Sequence, residues 1–252
     1  MQFALLPGWV EAFAIAFARI GVLVVLLPGI GERALPMRFR AGLAFILTLV
    51  ALPTVREASA AASGGPVERL IGEMLIGLAL GLAARVTLAS LDVAANLIAQ
   101  SIGLSFAQVL DPTQGQQAEM LTGFFRLLGV MLILTGDWHH VALAGIFDSY
   151  TALPPGLAAP AGDAAQLMLM LVSEVFHAGV RIAAPFLVFG LVFNLGLGLA
   201  SRMAPQIQLF FLTMPAGLLL GAAALALVLE PAGRQFLALH GAVLGQIFGT
   251  GR

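Results

Sequence analysis

The chain has 252 residues, 60% of them apolar and only 10% charged, with a formal net charge of -1. Soluble domains carry about 25% charged residues, so this chain cannot cover a water-facing surface of ordinary size, and its low charge equally excludes intrinsic disorder. No basic stripe interleaved with aromatics supports nucleic-acid binding, and the lack of cysteine excludes disulfides, zinc–thiolate sites and iron–sulfur clusters. The composition predicts an all-α membrane protein with several spans.

A helix needs about 20 apolar residues to cross the hydrocarbon core. Residues 8–27 supply the first, closed by Pro28-Gly29. Ala12-Phe13-Ala14 resembles a signal-peptidase site, but no positive charge precedes it and Glu11 interrupts the apolar run, so the segment reads as a retained span. Residues 41–52 are a second, short candidate ended by Pro53, and 54–66 are a small polar loop. Arg33, Arg38 and Arg40 lie between these two spans with Glu32 as the sole acid, which places that loop on the cytoplasmic side.

From Val67 to about Leu110 the chain is too long for one span, and the reading is two helices broken near Thr87–Leu91. This stretch carries Glu68, Glu73, Arg85, Asp92, Asn96 and Gln100, residue types that turn toward a bundle interior or a water path. Residues 120–135 form the next span, ending at Gly136-Asp137-Trp138-His139-His140, with a shorter apolar stretch to Tyr150. A Pro/Gly/Ala-rich linker at 153–163 is the best domain boundary. Residues 166–200 are apolar apart from Glu174, Arg181 and Pro185. Residues 208–229 form the last clear span, ended by Glu230-Pro231. In the tail, Phe236, Leu237, Val243, Leu244, Ile247 and Phe248 recur at helical spacing, which predicts an amphipathic helix over 231–252. The total is about six main apolar helices, several of them broken.

Chemistry is sparse. No metalloprotease His-Glu-x-x-His, phosphate loop, dinucleotide fingerprint or catalytic triad is present, so neither catalysis nor a cofactor is expected. Asp137, His139 and His140 come closest to a metal site, but neighbouring helical residues point about 100° apart. They read instead as a polar helix end beside an interfacial Trp138, and no metal is expected. Glu174, His177 and Arg181 share one helical stripe, either a structural ion pair or a proton relay, with the ion pair favoured. Two small-residue stripes, Gly77-x3-Gly81 and Thr213-x3-Gly217-x3-Gly221, suit close helix packing. Segment 103–119 leaves one helix, turns at Asp111-Pro112 and re-enters an apolar run. It is either an exposed loop or irregular backbone held inside protein or along a water path.

The order of these motifs resembles the FliR family, the flagellar export-gate proteins of type III secretion, whose injectisome counterpart is SctT. The resemblance runs through Ala18-Arg19-Ile20-Gly21, Leu27-Pro28-Gly29, Gly31-Glu32-Arg33, Pro36 and Arg38. It continues with Gly103 to Gln108, Asp111-Pro112, His139-His140, Ser173-Glu174, Arg181-Ile182-Ala183, Pro185, Arg202, Pro205-Gln206 and Pro215. Trp138 departs from it, since a small residue before the histidine pair is more usual, and no family role is carried onto His139 or His140.

The resemblance implies a structural subunit in the bacterial inner membrane, within the flagellar basal body. It implies assembly with FliP- and FliQ-like subunits into a closed conical pore for unfolded flagellar proteins, with FlhB and FlhA as further partners. Residues 1–152 would be the FliP-like part, 164–230 a FliQ-like helix pair and 231–252 the tail. Segment 103–119 would project into the pore, making Phe106, Gln108, Asp111, Pro112, Thr113, Gln114, Gly115, Gln116 and Gln117 the plug candidates. The rival reading is a proton-coupled small-solute transporter using Asp92, Glu174 and Arg181. It lacks the inverted repeat usual for such folds.

Overall fold

The computed structural model describes residues 8–32, 35–59, 65–103, 116–156, 161–203 and 209–248. All regular structure among them is helical: α1 (Gly8–Leu26), α2 (Met37–Ser59), α3 (Pro66–Val86), α4 (Leu88–Ser101), α5 (Gln116–Thr135), α6 (Trp138–Ala152), α7 (Ala161–Met203) and α8 (Leu209–Phe248). Five helices are long and apolar enough to cross a membrane, or six when α5 and α6 count as one span bent by 70°. The protein is an all-α membrane protein, as the composition predicts.

The sequence reading ended or interrupted helices at Pro53, Pro185 and Pro231, and the structure carries all three inside helices. The second helix begins at Met37, directly after Pro36, and runs through Pro53. Proline removes one intrahelical hydrogen bond and crowds the preceding turn. Here Pro53 is on the exposed side, while its neighbours Ala51 and Val55 are fully buried. Their burial favours continuing the helix, and membrane helices accommodate proline more readily than soluble ones. Pro185 likewise lies inside α7, flanked by buried Ile182, Ala183 and Phe186. The helix expected to end at Glu230-Pro231 instead continues to Phe248, because Ala232 and Phe236 are buried just beyond the proline.

The break between α3 and α4 falls at Thr87, whose hydroxyl donates to the Ala84 carbonyl at 2.8 Å. Between α5 and α6 the chain turns at Asp137, the single described non-glycine residue with positive φ, at 59°.

The chain forms two compact units that interleave along the sequence. The first contains 1–87, 133–172 and 240–252, and the second 88–132 and 173–239. In the first unit α1 packs on α2 and α3. Its core joins Ile20, Leu23 and Val24 with Val55, Ile76, Ile146 and Leu244. A Cβ on Gly77 would lie 2.5 Å from the carbonyl oxygen of Arg19, so α3 meets α1 at backbone distance there. In the second unit α4 buries Leu91, Ala94, Ala95 and Ile98 completely. Glycines bring other helices onto it: a Cβ on Gly129 of α5 would lie 2.5 Å from Leu91, and one on Gly179 of α7 2.8 Å from the Ser90 carbonyl. Small residues permit such approach where no hydrophobic force separates helix from lipid.

Candidate functional site

The first unit encloses a charged group. Arg19 on α1 is fully buried, and Glu73 on α3 is 1% exposed. Nε of Arg19 donates to Glu73 Oε2 at 2.6 Å and Nη2 to Oε1 at 3.1 Å, a two-pronged contact. Nη2 also donates to the Leu153 carbonyl at 2.8 Å. Nη1 donates to the Ser149 carbonyl at 3.0 Å and to its hydroxyl at 3.3 Å. A guanidinium has five N–H donors, and every one has an acceptor here. Two acceptors are carbonyls closing α6, where the helix dipole favours a cation. The Tyr150 ring lies against the guanidinium at 4.1 Å, and its hydroxyl donates to the Ala16 carbonyl at 3.2 Å. One arginine therefore ties together α1, α3 and the end of α6.

A second buried polar contact lies in the same unit. Thr87 and His240 are both enclosed, with the Thr87 hydroxyl 2.9 Å from His240 Nδ1. It joins the α3 terminus to the last turns of α8, while the Trp138 ring meets His240 edge-on with centroids 6.2 Å apart. Thr87→Val keeps the shape and removes the hydroxyl, leaving a buried imidazole nitrogen short of a partner. The expected cost is about 1–3 kcal/mol. It should appear as a lowered midpoint in thermal unfolding of the detergent-solubilised protein, with helical content unchanged at low temperature.

Of the polar residues predicted in the third apolar segment, Glu73 is interior, whereas Glu68, Asn96 and Gln100 are exposed. Asp92 pairs with Arg126 of α5 at 3.1 Å within the second unit. Glu174, His177 and Arg181 line one stripe of α7 and border a cavity of about 580 Å³ with Gln235 and Leu239 of α8. All three are exposed, and they form no ion pair with one another. The favoured expectation of an ion pair inside the bundle is therefore not met within this chain.

Asp137 precedes α6, and His139 and His140 lie in its first turn. The ligand-capable atoms of Asp137, His139 and His140 lie within 4.8 Å of one another, and the two imidazole centroids are 4.0 Å apart. Asp137 and His140 are largely exposed and meet at 3.4 Å. The Asp137–His140 approach is a polar contact at the helix end.

Gly77 and Gly81 face α1, against Arg19 and Leu26. Gly217 and Gly221 face Ile102 in the second unit. The Thr213 side chain and the plug candidates Phe106, Gln108, Asp111, Pro112, Thr113, Gln114 and Gly115 lie outside the described residues, as do the side chains of Gln116 and Gln117.

Residues 10–242 match the bacterial export proteins, family 1. The chain is 39% identical over 220 residues to the flagellar biosynthetic protein FliR of Caulobacter vibrioides, covering 86% of this chain and 88% of that protein. The chain belongs to the FliR family of bacterial export proteins. The FliR of Pectobacterium carotovorum is 32% identical over 223 residues, covering 88% of this chain and 85% of its own length. That of Escherichia coli is 29% identical over 225 residues, covering 87% and 84%. All three relatives are flagellar biosynthetic proteins, and the matching family is one of export proteins. This FliR-family chain is accordingly a membrane-embedded protein of flagellar biosynthesis, and its matched span includes Arg19, Glu73, Ser149 and Leu153.

The Arg19 network itself escaped the sequence reading. Arg19 and Glu73 are opposite charges in two apolar spans, and charges in such spans pair with one another or with backbone carbonyls. That rule could have linked them. The Ser149 and Leu153 carbonyls carry no side-chain signal.

Proposed function

We propose that this FliR-family chain is a structural subunit of the flagellar type III export gate in the bacterial inner membrane. It assembles with FliP- and FliQ-like subunits into a closed pore for unfolded flagellar proteins, with FlhB and FlhA as further neighbours. The observation that carries this reading is a mismatch of length. α7 has 43 residues and α8 has 40, contour lengths of roughly 64 and 60 Å at 1.5 Å per residue. The hydrocarbon core is about 30 Å thick, and membrane helices tilt by at most about 40°. Yet α7 is exposed and apolar on both sides of Arg181, at Leu169, Met170, Val172 and Phe176 and again at Leu191, Leu195 and Leu199. At the steepest tilt the hydrocarbon core covers about 39 Å of the roughly 45 Å between Leu169 and Leu199, so one end of this apolar face lies outside the core unless protein covers it.

A multi-subunit assembly supplies that cover. It also supplies groups to meet Glu174, His177 and Arg181, which are exposed and unpaired with one another. In this reading residues 1–152 are the FliP-like part and 164–230 the FliQ-like pair, and segment 103–119 closes the pore with Phe106 and the Asp111–Gln117 turn.

Two measurements test it. Co-expression with FliP- and FliQ-like partners should yield one stable complex whose mass includes this chain, and isolation of this chain free of both would sink the assembly. Deleting 110–117 should make the assembled gate leak small solutes, seen as growth inhibition by a normally excluded small toxic solute. A deleted gate as tight as wild type would remove the plug assignment and leave the assembly standing.

A further inference from the structure

Among the described residues, one group of side chains converges as metal ligands do: Asp137, His139 and His140. Each offers one ligand atom, and the three atoms lie within 4.8 Å of one another. Around a tetrahedral zinc ion with bonds of about 2.0–2.1 Å, ligand atoms stand roughly 3.4 Å apart. Asp137 Oδ1 and His140 Nδ1 already have that separation, 3.4 Å. The remaining contraction is within reach of side-chain rotation, because Asp137 and His140 are largely exposed.

Neighbouring helical positions diverge by about 100°, which is why the sequence pattern disfavours a metal here. The structure removes that obstacle. Asp137 stands before α6 in a left-handed conformation, with φ 59°, and the two imidazole centroids are 4.0 Å apart. His139 encloses its Nδ1, which leaves Nε2 as the nitrogen open to an ion.

Asp137 also behaves unlike a helix cap. An N-cap aspartate normally has extended backbone, and its carboxylate accepts from an N–H two or three positions on. Asp137 is left-handed, and its carboxylate makes no cap hydrogen bond. Its 3.4 Å approach to His140 is longer than a charge-assisted hydrogen bond, about 2.7–2.9 Å. That distance suits a shared ion better than a direct bond. Two imidazoles and a carboxylate favour a transition metal, whereas calcium and magnesium take oxygen ligands. The positive end of the α6 dipole opposes a cation, but the carbonyl end of α5, closing at Thr135, adjoins the same turn and offsets it.

We propose that Asp137, His139 and His140 bind one divalent transition-metal ion of the zinc class, with water completing a tetrahedral shell. The ion bridges the residue before α6 to the first turn of that helix, and so pins the 70° bend between α5 and α6. Its role is structural. The site lies within the first unit and does not depend on how the chain assembles with partners.

The full chain, carrying no polyhistidine tag, is purified in detergent, stripped with a chelator and titrated with Zn²⁺ or Co²⁺ alone. One ion per chain is expected. Bound Co²⁺ should show the visible absorption of tetrahedral coordination, and Zn²⁺ should raise the unfolding midpoint. Asp137→Asn, His139→Ala and His140→Ala should each weaken binding at least about tenfold, since changes one shell further out already cost 10–100-fold. Asparagine tolerates left-handed backbone, so Asp137→Asn should melt like the zinc-free wild type and decides the matter if either histidine variant melts early. His177→Ala, on the exposed stripe of α7, should bind as wild type does. Binding unchanged in Asp137→Asn, binding lost in His177→Ala, or several weakly held ions without the tetrahedral spectrum would each mean an adventitious ion only and overturn the site. So would no binding at all.

Discussion

Replacing Arg19 with Met is expected to cost this protein about 3–5 kcal/mol, the usual penalty for removing one partner of a buried ion pair. Glu73 would keep its charge in an enclosed site, and the Ser149 and Leu153 carbonyls would lose their donor. Thermal unfolding in detergent should show the loss directly, and less protein should accumulate in the membrane. The double change Arg19→Met with Glu73→Gln should recover much of it, because no charge is then stranded. That recovery separates the ion pair from mere packing. If the single variant melts like wild type, the network does not hold the first unit together. Arg19→Lys should behave more like Met than like wild type, since an ammonium has three donors and cannot form the planar two-pronged contact.

The second large effect is expected at Gly77. A Cβ there would lie 2.5 Å from the Arg19 carbonyl oxygen and 3.1 Å from its Cα. Both atoms are backbone, so no rotamer change can relieve the clash, and α1 must move away from α3. Overpacking of this kind costs about 1–3 kcal/mol. Gly77→Val should therefore lower the unfolding midpoint, whereas Gly123→Val, with nothing within 4 Å of the added Cβ, should leave it nearly unchanged. The shift also pulls Arg19 from Glu73, so Gly77→Val and Arg19→Met should not add. Residues in one network couple by about 0.5–3 kcal/mol. Strict additivity would show that the helix contact and the ion pair are independent.

Class and helix order are legible in this sequence because hydropathy and helix breakers are local signals. The span at residues 8–27 and the break at Thr87 lie where apolar runs and polar punctuation place them. Proline misleads for the opposite reason. Pro53 and Pro231 lower helix propensity locally, while the burial of Val55 and Phe236 that outweighs it depends on segments distant in the chain. The glycine stripes show the same limit. A glycine pair four apart stands out, but Gly129, Gly145 and Gly179 sit in equally close contacts with no second glycine at that spacing. Two of the five acceptors around Arg19 are backbone carbonyls, to which sequence gives no pointer.

The Arg19 network also sets an order in time. Arg19 precedes Glu73 by 54 residues and Ser149 by 130. At a synthesis rate of about 5–20 residues per second, the guanidinium leaves the ribosome roughly 3–11 s before its carboxylate and roughly 7–26 s before its serine carbonyl. During that wait a lone arginine in the bilayer centre costs about 2.5–3.5 kcal/mol on insertion scales. The first helix thus gains little by settling into lipid alone. Pairing with Glu73 of α3 removes that cost, so α1 and α3 are expected to enter the membrane together and not one after the other.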